Sequence, residues 1–343
     1  MMKLLITLMA LFASLGAWDI TRYEHLGPWE RYEPLFDELK KRGVKKAEIR
    51  RIFTSDKSRR SDATTLRLVS SVSNIPNLRE REREATKKFL KATPILVRHL
   101  KKYDAVYDKV EAEYGVNREI IGALLQKETA LGAITKFSHD AFIVYNTMLG
   151  QLKEPKNPTK REKLRTKRLI QDARENLAAL IVYKSRRGID VSTTDFPSSY
   201  AGAMGIPQFT PHALRDAVSA NGGLADLTKM EDAIFSVANL LTKRKKWPGT
   251  LLDFDKLDTL EELVALWIEF DNGRSNLAFG KNLEGMTIQN FSEIHAERED
   301  IRYLKPYLRS LMRYNYSSDY ALGILQIAKA AAAANGTTLS DAR

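Results

Sequence analysis

The sequence contains no cysteine. This absence excludes a disulfide framework, a thiolate metal site and a cysteine nucleophile. It also excludes the bacterial lipid anchor, which requires a cysteine directly after the signal segment. The five histidines are spread along the chain, too far apart for a local metal-binding motif. We therefore expect neither a metal nor any other cofactor.

Long apolar runs are almost absent as well. The longest, Leu4–Ala13, has ten residues, whereas a membrane-spanning helix needs about 20. Lys3 precedes the run, and Ser14, Gly16 and Ala17 follow it, which is the pattern of a signal peptide removed on export. A buried first helix is the alternative. We expect residues 1–17 to be the signal peptide of a soluble protein of the periplasm or cell envelope.

Acidic residues are outnumbered, because 43 Asp and Glu stand against 55 Lys and Arg and leave a net charge of +12. Half of this excess lies in Lys153–Arg168, which holds eight basic and two acidic residues. Pro155 and Pro158 predict a loop at its start. The segment is either a solvated insertion or a surface attracted to anionic groups of the cell envelope. Nucleic acid is not expected, since no aromatic and glycine pattern accompanies the charge.

Alternation of apolar and polar residues, the signature of strands, is hard to find, and no internal repeat is present. Apolar residues instead recur at three- and four-residue spacing, which predicts an all-α, mainly helical fold. At roughly 150 residues per domain, the length suggests about two domains. The last helix is expected to end at Asn335-Gly336. The segments with helical spacing are Trp29–Arg42, Lys45–Phe53, Glu82–Val110, Arg118–Ala130, Lys167–Arg187, Met230–Lys246, Leu260–Phe270 and Tyr320–Ala334.

A predicted helix between Asn117 and Gly132 carries the first candidate for chemistry. Asn117 is a favourable N-cap and Gly132 a favourable stop. Glu128 lies on the apolar stripe of this helix, whereas Glu119 and Lys127 fall off it. Burial raises the pKa of a carboxyl group, which suits a general acid working near neutral pH. The alternative is a structural glutamate paired with a nearby cation.

A segment rich in small residues forms the second motif. Alanine and glycine at 201–203 and 205 allow a close approach of the backbone to a ligand or to another helix. Gln208 follows, and its amide offers both a donor and an acceptor to a sugar. Thr210 and Pro211 predict the start of a new helix. Simple close packing of helices is the alternative.

Tyrosines dominate the third motif, Arg313–Tyr320. Tyr314, Asn315, Tyr316 and Tyr320 combine aromatic faces with polar groups, which is a common way to bind a saccharide. Asp319 is predicted to cap the next helix. The alternative is a tyrosine-rich corner of the core.

The order of these motifs, together with DAIFSVANLL between the second and the third, resembles the lytic murein transglycosylases of the B type (MltB-like). Goose-type lysozyme is a more distant relative. The resemblance extends from about Tyr114 to Ala328 and is looser over the N-terminal helices. It implies a catalytic acid and base and a set of glycan-binding residues, with peptidoglycan glycan strands as the partner. Carried over residue by residue, these are Glu128 for catalysis and Ser199, Gln208, Tyr314, Asn315 and Tyr320 for substrate binding.

The resemblance also implies the domain organisation. We expect a helical region at 18–110, a lysozyme-like core at 111–328 with the basic insertion at about 153–168, and a flexible tail at 329–343. We expect a monomer.

Two departures from the family pattern stand out. Leu240 occupies the place of the tyrosine in the family's VANY motif. Relatives often carry an Asp-rich, calcium-binding loop after the glutamine motif, but Ser219–Asp226 contains a single aspartate, too few oxygen ligands for calcium.

Ordinary glycosidases use two carboxylates, whereas the motifs here supply one good candidate. A lytic transglycosylase needs only one, as the resemblance implies. The glutamic acid protonates the oxygen between N-acetylmuramic acid (MurNAc) and N-acetylglucosamine (GlcNAc), and the acetamido group assists departure. The glutamate then takes the proton of the MurNAc C6 hydroxyl as a 1,6-anhydro ring closes. A hydrolytic muramidase and a catalytically weak wall-binding protein are the alternatives.

Overall fold

The computed structural model describes residues 18–70, 75–134, 136–274, 297–315 and 317–336. Within these residues the named elements of regular secondary structure are helices, apart from two strands of two residues each, which confirms the predicted all-α class. Short 3₁₀ turns occur at Ile20–Leu26, Pro211–Asp216 and Phe254–Leu257. None of the helices in the described ranges has the length and apolar character needed to cross a membrane. The predicted signal peptide lies outside the described residues.

In chain order, the elements are α1 (Trp29–Lys41), α2 (Lys46–Phe53), α3 (Asp56–Arg59), α4 (Ala63–Ser70), α5 (Ile75–Lys91), α6 (Thr93–Lys102), α7 (Asp104–Tyr114), α8 (Arg118–Thr129), β1 (His139–Asp140), α9 (Ala141–Gln151), α10 (Lys160–Ser185), β2 (Pro197–Ser198), α11 (Met230–Lys243), α12 (Leu260–Arg274), α13 (Glu299–Tyr314) and α14 (Ser318–Asn335). They form two compact units. The first contains α1–α4, β1, α9 and α10, and the second contains the other elements. The domain boundaries expected from the family resemblance stay predictions.

Aromatic side chains form the core of the first unit. Tyr32, Phe36, Phe53 and Phe142 are almost fully buried, and the rings of Phe36 and Phe53 lie 4.7 Å apart. The Tyr32 hydroxyl donates to Asn146 Oδ1 at 2.9 Å, which satisfies its polar end inside the core. The core therefore joins α1 and α2 to α9.

A buried lysine connects the short helix α3 to the segment before Phe196. Lys57 is only 6% exposed, and its Nζ lies 2.9 Å from Asp140 Oδ2 and also donates to the Thr194 carbonyl. Asp140 accepts hydrogen bonds from the backbone amides of Ile143 and Phe196 at 3.1 and 2.7 Å. One ion pair thus caps α9 and fixes two distant stretches of the chain.

The basic segment belongs to the first unit. A loop at 152–159 leads into α10, as the two prolines predict, but α10 begins at Lys160 and not at the predicted Lys167. Thr159 and Glu162 form a capping box, because each side chain accepts a hydrogen bond from the other residue's backbone amide. The lysines at 153, 156, 160, 163 and 167 are all exposed.

Helix α8 is the centre of the second unit. It packs against α6, α7, α11 and α14, and α14 in turn packs against α5, α6 and α13. The fully buried apolar residues of α8 are Ile120, Ile121, Ala123, Leu124 and Leu125. This arrangement brings the end of α8 next to the start of α14.

Several boundaries differ from the sequence-based prediction. The stretch Glu82–Val110 is not one helix, because Ala92 and Tyr103 separate α5, α6 and α7. Pro94, in the first turn of α6, lacks the amide hydrogen that a continuous helix needs. Helix α14 ends at Asn335 as predicted, with Gly336 in the left-handed region at φ 71°. Residues 329–335, expected in the flexible tail, are helical, since Ala331 and Ala332 are buried.

Replacing Lys57 with Met tests the buried ion pair. We expect the free energy of unfolding to fall by about 3 kcal/mol, because Asp140 is left as an uncompensated buried charge. Urea unfolding followed by circular dichroism measures the change. Lys156→Met, in the exposed loop before α10, is the control and should unfold like the wild type. Equal unfolding midpoints for the two variants would show that the pair contributes nothing.

Candidate active site

Glu128 lies in the last turn of α8, where the chain leaves the helical path abruptly. The helix ends at Thr129, and Ala130, Leu131 and Gly132 all have positive φ angles of 49°, 58° and 80°. The left-handed conformation is unfavourable for alanine and leucine, so surrounding contacts must hold it. The stop therefore comes earlier than the predicted one at Gly132.

Thr129 provides such contacts. Its Oγ1 donates to the Ile206 carbonyl at 2.9 Å and accepts from the Gly132 amide at 3.2 Å. Since Ile206 belongs to the second motif, the end of α8 is bound directly to that motif.

The start of the same helix also differs in detail from the prediction. Asn117 occupies the N-cap position but makes no side-chain cap. Its amide group instead exchanges two hydrogen bonds with the backbone of Leu252, at 2.9 and 2.7 Å. Glu111 supplies the acceptor for the Arg118 amide at 2.7 Å. The prediction that Asn117 occupies the N-cap position is confirmed, but the prediction that its side chain caps the helix is wrong.

A short hydrogen bond joins Glu128 to the third motif. The Tyr320 hydroxyl donates to Glu128 Oε1 at 2.6 Å. Because Oε1 is occupied as an acceptor, Oε2 is the oxygen that can carry the acidic proton. Ser317 caps α14 by accepting from the Tyr320 amide at 3.2 Å. Asp319, expected to be this cap, instead forms an ion pair with Arg83 at 2.8 Å.

The surroundings of Glu128 favour its protonated form. Burial raises the pKa of Glu128 to about 7, while the hydrogen bond from Tyr320 opposes this rise. The negative charge of Glu82 raises the pKa further, and the positive charge of Lys127 lowers it. The residue as a whole is partly exposed, whereas its carboxyl group is the desolvated end of the side chain. A carboxyl group with this pKa can both give and take a proton near neutral pH.

The second motif is a tight turn that fixes Gln208. Gln208 has a positive φ of 50°, and its Nε2 donates to the Gly205 carbonyl at 2.9 Å. Gly205 has a φ of 69°, and a Cβ atom there would lie 2.6 Å from Leu227 Cβ, so a larger residue does not fit. The small residues of this motif therefore allow close packing, and they also place a polar side chain.

Tyr314 completes the connection between the motifs. Its hydroxyl donates to the Pro207 carbonyl at 2.7 Å. Burial raises the pKa of Tyr314 well above its usual range, and the nearby charge of Glu128 adds to this. The same two causes act on the pKa of Tyr320. The structure thus brings together the three motifs that the sequence singled out.

Two of the predicted binding residues, Ser199 and Asn315, make no described contact with Glu128. Ser199 Oγ accepts from the Ala203 amide at 3.2 Å and so shapes the turn of the second motif. Asn315 follows the last residue of α13 and is exposed. No described contact joins either side chain to Glu128. Their roles in substrate binding stay predictions, as do those of Glu128, Gln208, Tyr314 and Tyr320.

Sequence reasoning placed Lys127 and Glu119 off the buried stripe, and both placements were wrong. Glu119 is 1% exposed, and the Lys127 side chain is 3% exposed. Lys127 forms an ion pair with Glu82 of α5 and donates to Thr86 Oγ1 at 3.0 Å. The strongly charged sequence of α5 favours a solvated helix, so no local signal could have identified this partner.

The loop after the second motif does not offer the oxygen ligands that calcium needs. Asp232 accepts from the amides of Ala220 and Asp226 at 2.8 and 2.7 Å, so a side chain of α11 organises this loop. Asp226 accepts from Thr228. In the part of the chain that the structure describes, no group of three or more histidine, aspartate or glutamate residues could hold a metal. The residues present therefore do not fit calcium.

Replacing Glu128 with Gln tests the cost of burying this carboxyl group. The pKa is raised from 4.5 to about 7 on folding, so the charged form destabilises the wild type increasingly as pH rises through this range. We expect Glu128→Gln to exceed the wild type by less than about 1 kcal/mol at pH 5 and by about 3 kcal/mol at pH 8. Urea unfolding at both pH values measures this. Glu113→Gln, on the exposed side of α7, is the control. A difference that does not change with pH would contradict the expected pKa.

Comparison with known proteins places the site in a family. The model of the family described as "Transglycosylase SLT domain" matches residues 30–329. A search of curated proteins gives no significant match.

Solved structures show the same fold. The Escherichia coli lytic transglycosylase SLT35 in complex with bulgecin A is 21% identical, with a TM-score of 0.59 over 90% of this chain and 94% of that one. SLT35 has also been solved in complex with calcium. The catenated lytic transglycosylase SltB1 from Pseudomonas aeruginosa is 19% identical, with a TM-score of 0.59 over 91% and 99% of the two chains.

SltB3 from Pseudomonas aeruginosa, in complex with NAG-anhNAM-pentapeptide, is 19% identical, with a TM-score of 0.50 over 87% of this chain and 78% of that one. The lysozyme-like architecture expected from the family resemblance is thereby confirmed. Since the family model covers most of the chain, the protein belongs to the transglycosylase SLT domain family and is an enzyme, a lytic transglycosylase.

Proposed function

We propose that this enzyme cleaves the β-1,4 bond between MurNAc and GlcNAc in peptidoglycan, forms 1,6-anhydro-MurNAc, and uses Glu128 as its single acid and base. The observation that carries the proposal is the desolvated Glu128 carboxyl group, whose pKa is about 7 and whose Oε1 accepts from Tyr320. The family match and the anhydro-sugar ligand in the SltB3 structure support it.

The two carboxyl oxygens of Glu128 have different roles. Oε1 accepts the hydrogen bond from Tyr320, and Oε2 transfers the proton. Oε2 carries the proton and gives it to the bridging oxygen as the bond from MurNAc C1 to that oxygen breaks. The acetamido group of MurNAc assists this departure. The C6 oxygen then bonds to C1, and the Glu128 carboxylate takes the C6 hydroxyl proton. Atoms balance without water, and the acid is restored at the end of the cycle.

The neighbouring carboxylates support a mechanism with one acid. Glu82 is ion-paired with Lys127, and Asp319 is ion-paired with Arg83. Both carboxylates are therefore ion-paired, whereas an ordinary glycosidase needs a second carboxylate that can act as base or nucleophile. This favours ring closure by the C6 hydroxyl over hydrolysis. A hydrolytic muramidase on the same scaffold is the second candidate.

Substrate binding falls to the polar groups around Glu128. Gln208 donates to Gly205 through Nε2, so its Oε1 can accept from a hydroxyl or acetamido N–H group of the glycan. Tyr314 is partly exposed, and its ring is suited to pack against a sugar ring. Tyr320 is only 4% exposed, so its part in binding is to hold the Glu128 carboxyl group. Asn315 offers an exposed amide, and Ser199 holds the turn that presents Gln208.

The cellular location of the enzyme and its contact with the cell envelope are part of the same proposal. The signal-like segment at residues 1–17 and the peptidoglycan substrate together favour export to the periplasm or cell envelope, where the enzyme acts as a monomer. The exposed lysines of the loop at 152–159 and of the first turns of α10 are suited to contact an anionic envelope surface.

The products of peptidoglycan digestion test the reaction. We expect the wild type to release muropeptides that are lighter by one water than hydrolysed ones, and Glu128→Gln to release none. Mass spectrometry of the soluble products measures this. Glu113→Gln, on the exposed side of α7, should remain active. Full-mass products with reducing ends would establish a muramidase, and an active Glu128→Gln would overturn the assigned acid.

The role of Tyr320 is tested by removing its hydroxyl. In Tyr320→Phe the hydrogen bond that lowers the pKa of Glu128 is lost, so the pKa rises above about 7. We expect the alkaline limb of the pH–rate profile to move to higher pH. The maximal rate should fall about tenfold, because the carboxyl group loses its fixed orientation. Rates of muropeptide release from pH 5 to 9 measure both effects. An unchanged alkaline limb would show that Tyr320 does not act on the acid.

A further inference from the structure

Lys127 is a buried cation directly beside the proposed acid in the sequence. Its side chain is 3% exposed, although lysine is almost never buried without a partner. An isolated ammonium group would be costly here, so its environment must compensate the charge. Nothing in the reaction described above uses this residue, and its neighbours indicate what it does.

Three groups surround the Lys127 ammonium. It forms an ion pair with Glu82 and donates to Thr86 Oγ1 at 3.0 Å, both on α5. It also lies over the ring of Tyr320, 5.0 Å from the ring centroid. A cation at this distance is attracted to the face of an aromatic ring. Lys127 therefore touches the same tyrosine that donates to Glu128.

A glycine leaves room for this arrangement. Gly323 lies one turn after Tyr320 in α14, and a Cβ atom there would overlap Thr86 Oγ1 and lie 2.9 Å from Lys127 Nζ. Glycine in the middle of a helix is unfavourable by itself. Here it allows α5 to approach α14 closely enough for the lysine to reach both Thr86 and Tyr320.

We propose that Lys127 and Glu82 are a positioning pair for the general acid, in which Lys127 holds the Tyr320 ring while Glu82 balances the lysine charge beside Glu128. The proposal rests on the role of Glu128 given under Proposed function. Neither residue of the pair touches the reacting atoms. Both act through Tyr320 and through their charges.

The charges of the pair act on Glu128 in opposite directions. Glu82 raises the pKa of Glu128, and Lys127 lowers it. The electrostatic effects of two close, opposite charges on a third group largely cancel. Burial and the hydrogen bond from Tyr320 therefore determine the pKa of Glu128. When one member of the pair is removed, the charge of the other is no longer balanced and shifts the pKa of Glu128.

Within the ranges that the structure describes, the other charged groups facing Glu128 have partners of their own. From α14, Asp319 faces this region and is paired with Arg83 of α5, and from α13 the facing titratable group is Tyr314. On the other helices packed against α8, the nearest polar groups have partners of their own. His99 of α6 contacts Tyr107, and Asp232 of α11 binds loop amides. Asp104, Asp108 and Glu111 of α7 bind Arg118 at the opposite end of α8, and Glu113 is exposed.

The test compares pH–rate profiles of muropeptide release for the wild type, Glu82→Gln, Lys127→Met and the double variant. We expect the alkaline limb to move to lower pH by about one unit in Glu82→Gln and to higher pH by about one unit in Lys127→Met. In the double variant the limb should return to the wild-type position. Its rate should stay about tenfold lower at every pH, because Tyr320 loses the cation on its ring.

A matched control lies on the same helix. Glu84 and Lys87 form an exposed ion pair on α5 at 2.7 Å, so Glu84→Gln and Lys87→Met repeat the two charge changes away from the site. These variants should keep the wild-type profile. Shifts of the same size in the controls would mean that net charge, and not position, moves the limb.

Each outcome decides the proposal. Limbs that move in the same direction in the two single variants, or do not move, overturn it. If the single variants do not fold, the double variant decides, since a wild-type rate there excludes a positioning role. Thr86→Val keeps both charges and should lower the rate without moving the limb, so a normal rate would also count against it. Loss of all activity in Glu128→Gln, alongside unchanged profiles in the pair variants, leaves the proposed function intact and rejects only the pair.

Discussion

The hydrogen bond from Tyr320 to Glu128 is the contact on which the site depends. It joins the last turn of α8 to the first turn of α14 at 2.6 Å, and these two helices are at the centre of the second unit. Thr129 and Tyr314 extend the same connection to the turn that carries Gln208. A tyrosine donor can hold a carboxyl group in place in either protonation state of that carboxyl group. The hydrogen bond can therefore hold the Glu128 carboxyl group in one place in both of its protonation states.

Burial of the Glu128 carboxyl group lowers the stability of the folded protein when the group is ionised. A carboxyl group with a pKa near 7 costs free energy whenever it is ionised inside the protein. The left-handed residues Ala130 and Leu131 add backbone strain directly after it. Such features are expected where a function requires them, because packing elsewhere supplies the stability. In the second unit that packing comes from the apolar residues of α8, which are almost fully buried.

Much of this arrangement follows from local sequence patterns. The apolar spacing of α8 identifies Glu128 as a buried acid, the small residues identify a tight turn before Gln208, and the tyrosines mark the third motif. These features depend on periodicity and on residue size, which act over short distances. The contacts of Lys127, Asp319 and Asn117 were missed, because each partner lies far away in the chain. A charged side chain on the edge of a helix looks solvated until another helix covers it.

The missed contacts share a physical role. Around Glu128, the cations and anions of the described residues occur as matched pairs, Lys127 with Glu82 and Arg83 with Asp319. A matched pair creates a weaker field at a distance than either charge alone. The ionisation of Glu128 then depends on its own desolvation and on one hydrogen bond. An unmatched cation nearby would keep the carboxyl group ionised and remove its proton at the start of the reaction. An unmatched anion would hold the proton too firmly for release to the sugar. In the proposed reaction, balanced neighbours let Glu128 perform both proton transfers. Charged residues can then surround the proposed acid without joining its chemistry.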